Sequence, residues 1–137
     1  MKIFLDSSFI IELLKNNEVA VSISKLLLNL SYLELHYNHI VFSEVVYQLY
    51  FKRKINIDLL KDIMSDFELL DMNSEIKEIA LNFIQTYNLK PNDALILATC
   101  KFHKIENLIS LDEDFKIPCE KEKINLIDSD KKLERLI

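Results

Sequence analysis

The segment Lys2-Ile3-Phe4-Leu5-Asp6-Ser7-Ser8-Phe9-Ile10-Ile11-Glu12-Leu13-Leu14 runs three apolar residues into one aspartate, adds two hydroxyl residues, and opens an amphipathic run at once. It reads as a short buried strand, a carboxylate at the strand's C-terminal end, and a helix whose N-cap is Asp6 or Ser7. In an open α/β sheet, ligands bind outside the C-terminal ends of the strands. Any other carboxylate carried to that edge would share a site with Asp6.

Working outward, Glu18 to Leu35 carries Val19, Ile23, Leu26, Leu27, Leu30 and Leu33 at three- and four-residue intervals, which predicts a second helix. Asn38-His39 breaks it, Ile40-Val41-Phe42 predicts a short buried strand, and Ser43 is placed to cap a helix that begins at Glu44 and ends in Lys52-Arg53-Lys54. Ile57 to Asp66 predicts another helix and Phe67 to Met72 a strand. Asn73-Ser74 caps a helix carrying Ile76, Ile79, Ala80, Phe83 and Ile84. Pro91, a residue favoured in the first helical turn, opens a helix that is apolar nearly all round through Cys100. Asn107 to Leu111 predicts a strand ending at Asp112, and Ile124 to Asp128 a last edge strand before a charged, amphipathic tail. Strands alternating with helices predict a three-layer α/β/α arrangement around a mostly parallel sheet of four to five strands. No repeat or linker interrupts residues 1–137, so a single domain is expected.

The net charge of −5 argues against a protein that coats nucleic acid by bulk attraction. It leaves room for a nuclease whose acids hold cations that meet phosphate locally. The chain has no glycine, which excludes a Walker A loop and a GxGxxG dinucleotide site. Tight turns must then fall to residues such as Asn16-Asn17, Asn38 and Asn88. No run approaches the roughly 20 apolar residues of a membrane span, and the N-terminus does not read as a signal peptide. With two cysteines and no disulfide framework, a cytoplasmic protein with no membrane partner is expected. Cys100 and Cys119 read as core residues rather than nucleophiles. His36, His39 and His103 lack the company of a zinc site, and His36 and His39 read as solvent-facing or turn residues.

Four acids occupy comparable places: Asp6, Glu44 and Asp112 after predicted strands, and Asp93 in the first turn of the apolar helix. Each alone is explained by helix capping and the helix dipole. Capping does not require acids after successive strands, however, and crowded carboxylates are unfavourable without cations. Oxygen-only ligands suit Mg²⁺ or Mn²⁺ rather than zinc. One or two such ions can activate a water for attack on a phosphodiester.

The stretches Ile3 to Ile10, Ser43-Glu44-Val45-Val46, Asn92 to Ala98 and Ile109 to Phe115 resemble, in order, the successive motifs of PIN domains. The resemblance is greatest to the small stand-alone ribonucleases of VapBC toxin–antitoxin pairs. It implies a metal-dependent endoribonuclease with Asp6, Glu44, Asp93 and Asp112 holding one or two Mg²⁺ or Mn²⁺ ions, and with Ser7 and Ser110 as supporting hydroxyls. Asp112 and Asp114 compete for the fourth acidic place; Asp112 is preferred, with Asp114 supporting. The resemblance also implies an RNA substrate, a VapB-type antitoxin and a homodimer, with part of the apolar surface around Ile10, Leu14, Leu26, Leu27 and Leu30 forming a groove or interface. Lys52, Arg53 and Lys54 complement a helix C-terminus or contact RNA phosphates. Two other readings stay open: a PIN-type nuclease of RNA processing or decay with no antitoxin, and a non-catalytic α/β binding module whose acids only cap helices.

Overall fold

The computed structural model describes residues 1–137. Strand β1 (Lys2–Leu5) is followed by helices α1 (Ser7–Leu14) and α2 (Glu18–Leu27), then β2 (Glu34–Tyr37) and α3 (His39–Val46), which continues as a π-helical segment over Tyr47–Lys52. Next come α4 (Ile57–Ser65), β3 (Glu68–Leu69), α5 (Ser74–Tyr87), α6 (Pro91–Phe102) and β4 (Asn107–Ile109). A 3₁₀ turn (Glu113–Phe115), α7 (Lys116–Glu122), β5 (Asn125–Ile127) and α8 (Asp130–Glu134) complete the chain.

All strand pairs are parallel, in the order β3-β2-β1-β4-β5. The central β1 buries Ile3, Phe4 and Leu5, so both faces of the sheet are covered by helices, as parallel sheets require. The chain winds from β1 out to β3, then crosses back to place β4 on the other side of β1. The reversal falls between β1 and β4, the place at the C-terminal strand ends where open parallel sheets bind their ligands. Residues of every layer join one core of 31 buried apolar side chains.

The second strand departs from expectation. It is Glu34–Tyr37, not Ile40-Val41-Phe42, and the second helix stops at Leu27. Asn38, not Ser43, is the N-cap of α3: its Oδ1 accepts from the Val41 amide at 3.1 Å. The apolar triplet therefore lies in the first turn of a helix, with Val41 buried and Phe42 about half exposed. A three-residue apolar run has no period to separate the two states. The third strand covers only Glu68–Leu69, and α7 was not anticipated because its charged sequence carries Pro118. The tail forms α8, which buries Leu133 against α2 and β5.

Asparagines carry much of the local punctuation. Asn17, Asn56 and Asn73 cap α2, α4 and α5 through their side chains. Asn16 and Asn88 adopt left-handed φ of 58° and 55°. In the absence of glycine, Tyr32, Lys54, Lys104 and Lys123 do the same, where each side chain costs about 1 kcal/mol. Cys100 and Cys119 are buried, and burial pushes both thiols up, that of Cys119 to about 12, so neither is a nucleophile near neutral pH. Ile10 and Leu27 are core residues, and Leu14, Leu26 and Leu30 pack on that core.

Candidate functional site

Asp6 lies at the C-terminal end of β1 and is 3% exposed. It stands at the N-cap position of α1, yet its carboxylate makes no capping bond. Its Oδ2 instead accepts from Ser8 Oγ and Ser110 Oγ, each at 2.7 Å. Both hydroxyls in turn accept backbone amides, Ser8 from Leu111 at 3.0 Å and Ser110 from Asp112 at 3.1 Å. Each serine has one proton, and both protons are committed to Asp6. The hydroxyls therefore stitch the start of α1 to the segment after β4 through a single carboxylate oxygen. Ser7, the other cap expected for α1, is engaged elsewhere: its Oγ donates to Glu44 Oε1 at 2.9 Å.

Glu44 reaches the site from the second turn of α3 rather than from a strand end, because the helix starts at His39. Asp93 projects from the first turn of α6, where Pro91 sets the helix start. Asp112 follows β4 and caps the 3₁₀ turn by accepting the Asp114 amide at 2.9 Å. That turn swings Asp114 back, so that carboxylate oxygens of Asp93, Asp112 and Asp114 all lie within 4.8 Å of one another. Asp112 and Asp114 thus face the same space.

The electrostatics follow from crowding at the edge of a dry core. Burial, then the charges of Asp112, Asp6, Glu44 and Asp114, pushes the Asp93 carboxyl up to about 7. Burial raises Asp6 as well, and the serine hydrogen bonds only partly offset it. Glu44 is raised by burial, partly offset by Ser7, with Asp6 adding to the rise and Asn92 opposing it. Carboxylates in this state are stabilised by a cation, and an all-oxygen donor set at this spacing fits a hard divalent ion. Ser8 and Asn92 are members of this cluster that no sequence motif marks as site residues.

Lys52, Arg53 and Lys54 are exposed and are not gathered with the acids. They stand at the end of the π-helical segment and just beyond it, roughly 12 Å past Glu44 at helical rise, and Lys52 Nζ rests 5.3 Å over the Tyr47 ring.

The PIN domain profile matches residues 3–121. The chain belongs to the PIN domain family. Among relatives, this PIN domain is 30% identical to Ribonuclease VapC6 of Methanocaldococcus jannaschii, over 83% of this chain and 90% of that protein. It is 47% identical over 64 residues to Ribonuclease VapC2 of the same organism, a match covering 47% of this chain and under half, 43%, of VapC2. Its fold superposes on a solved toxin–antitoxin complex from Klebsiella pneumoniae with a TM-score of 0.70 and 25% identity, covering 85% of this chain and 93% of that one. No helix of this PIN domain is long and apolar enough to cross a membrane.

Proposed function

We propose that this PIN domain is a Mg²⁺- or Mn²⁺-dependent endoribonuclease, the toxin of a VapBC-type pair, acting as a single domain in the cytoplasm. The observation that carries the reading is the convergence of Asp6, Glu44, Asp93, Asp112 and Asp114 where the strand order reverses between β1 and β4, with the Asp93 carboxyl pushed up to about 7. Helix capping explains only Asp112 among them. The relatives named as VapC ribonucleases support the same activity.

In this reading Asp93, Asp112 and Asp114 would hold the cation, with Asp6 and Glu44 adding to the negative charge that draws it. One or two such ions supply an activated water and offset the charge that builds on the phosphoryl oxygens. Ser8 and Ser110 hold Asp6 by Oδ2, which fixes the orientation of its carboxylate. Ser7 restrains Glu44, and Asp93 gives up its proton when a cation neutralises the cluster. Lys52, Arg53 and Lys54 would meet RNA phosphates beyond the cleavage point.

The antitoxin and homodimer assignments draw support from an apolar groove between α3 and α4. Tyr37, Phe42, Val46, Ile57, Leu60 and Met64 line about 450 Å³ there, and Phe42 and Ile57 are substantially exposed. Such a groove suits an apolar helix of a partner.

The test is digestion of mixed RNAs by wild type and Asp6→Asn in parallel, with and without Mn²⁺. Cleavage only by wild type, and only with the ion, is the expected outcome. Equal cleavage by Asp6→Asn, or cleavage in EDTA, overturns the assignment.

A further inference from the structure

The helix that brings Glu44 to Ser7 continues as the π-helical segment Tyr47–Lys52. A π turn closes on the fifth residue rather than the fourth, and such turns are frequent at functional sites. Here it sets Lys52 one turn beyond Tyr47, with Nζ 5.3 Å from the ring centroid. In an unbroken α-helix the neighbours are three or four residues apart, and residues five apart point to different faces. The π segment thus brings an ammonium group over an aromatic ring.

Two observations set this surface apart. Tyr47 and Phe51 are 53% and 59% exposed, and the Tyr50 ring packs edge-on against Phe51 at 5.0 Å. Single exposed apolar residues need no explanation, but here three aromatic rings fall within five residues. The second observation is charge. Lys52, Arg53 and Lys54 follow the rings directly in a chain of net charge −5, and none of the three pairs with a carboxylate. Complementing the helix dipole asks for a cation in the last turn, not three in a row.

Rings beside free cations fit single-stranded RNA. Grooves that take unpaired strands join a positive track for the phosphates to aromatic rings on which the bases stack. The core of a protein interface is instead depleted in lysine. The apolar groove between α3 and α4 uses Phe42 and Val46 of this helix, not these rings.

We propose that Tyr47 and Phe51, with Lys52, Arg53 and Lys54, form a subsite for an unpaired RNA segment beside the cleavage point. Bases stack on the rings, and the cations meet the phosphates that join them. The subsite rests on the nuclease reading and narrows its substrate to RNA that is single-stranded next to the scissile bond. Tyr47 follows Glu44 by three residues, roughly 4.5 Å of helical rise, and so shares its side of the helix.

The test is fluorescence anisotropy of a labelled, unstructured RNA, free or annealed to its complement. The protein is full-length Asp93→Asn/Asp112→Asn in EDTA, in which the carboxylate cluster is disabled and the RNA stays intact. Tyr47→Ala and Phe51→Ala in that background are each expected to weaken binding of the single strand about tenfold, whereas Tyr47→Phe binds as the parent does. Lys52→Gln is expected to lower the slope of log affinity against log salt by about 0.7. The duplex is expected to bind more weakly and to be indifferent to the ring variants. Both rings are exposed, so the Ala variants keep the fold, which an unchanged Tm checks. Ring variants that bind like the parent, a duplex held as tightly as the single strand, or a dimer that the ring variants split into monomers overturns the subsite. Such a failure, with wild type still cutting RNA in Mn²⁺, leaves the nuclease reading standing. Binding as expected, with no cutting by wild type, keeps the RNA surface and removes the nuclease reading instead.

Discussion

Asp6, just past the C-terminal end of β1, and His36, on the neighbouring β2 and level with Phe4, are about equally buried; the cavity that His36 lines opens toward Lys2 and Glu34 at the N-terminal strand ends. Asp6 receives two hydroxyl donors, each anchored by a backbone amide; His36 receives none. The difference lies in how a buried charge or dipole is made tolerable. At the C-terminal end, the chain supplies short serines from α1 and from the end of β4, whose reach matches one carboxylate oxygen. At the other end, the groups nearest the imidazole are long exposed glutamates that do not close on it. An end built with donors in place holds its carboxylate in one orientation before any ligand arrives.

The largest expected effect comes from Asp93, which carries most of the strain of crowding. Asp93→Asn should lower RNA cleavage by roughly a thousandfold, the equivalent of several kcal/mol of lost charge stabilisation. Its stability should move the other way. The folded protein keeps the Asp93 proton up to about pH 7, whereas the ordinary carboxyl releases it near 3.8. A raised folded value means that stability is highest below the ordinary value and declines as pH rises through about 7. In EDTA, wild type should therefore lose about 5 °C of Tm between pH 4 and pH 8, relative to the variant. Losing an acid from the first turn of α6 costs only about 0.3–1 kcal/mol through the helix dipole. A Tm for Asp93→Asn below that of wild type at pH 8 would mean that the dipole outweighs the crowding.

A smaller effect is expected from Ser110→Ala, which removes one of the two donors to Asp6 and the acceptor for the Asp112 amide. Leaving a buried charged group short of a donor costs about 1–3 kcal/mol. Chemical denaturation should show a loss in that range, and cleavage should fall by about tenfold because Asp6 is less firmly oriented. If both stay at wild-type values, Ser8 alone holds the carboxylate, and the contrast with His36 rests on one hydroxyl rather than two.

Why one end was legible and the other was not follows from where the signals lie along the chain. Asp6, Asp93 and Asp112 each carry their position locally, in a strand end or a helix start that a few neighbouring residues specify. The same holds for β1, α5 and α6, whose apolar period and Asn or Pro punctuation agree. Glu44 was found for a wrong reason: the expected strand before it is a helical turn, and a residue one turn deeper still reaches Ser7. Strand β2 was hidden because Glu34-Leu35-His36-Tyr37 buries its histidine, which breaks the apolar alternation that marks a strand. The expectation that His36 faces solvent failed with it. No local pattern joins His36 to Glu68 and His103; only the strand register and the far end of α6 bring them together. The role of Ser8 was similarly invisible, because its partners lie after β4.

The smallest effect expected is also the sharpest separator of the two ends. His36→Leu replaces a buried ring with two unpaired nitrogens by an apolar side chain of similar bulk. Removing unsatisfied polar groups recovers desolvation cost, and shape mismatch in a packed region costs up to about 1.5 kcal/mol. The two nearly cancel, so in EDTA the variant should denature within about 1 kcal/mol of wild type. The matched change at the other end, Ser8→Ala, removes a donor from a charge and should cost more than that despite deleting a single oxygen. Should His36→Leu instead prove the more damaging of the two, the imidazole must have partners in solution that the folded chain itself supplies. The two ends of the sheet would then be built alike.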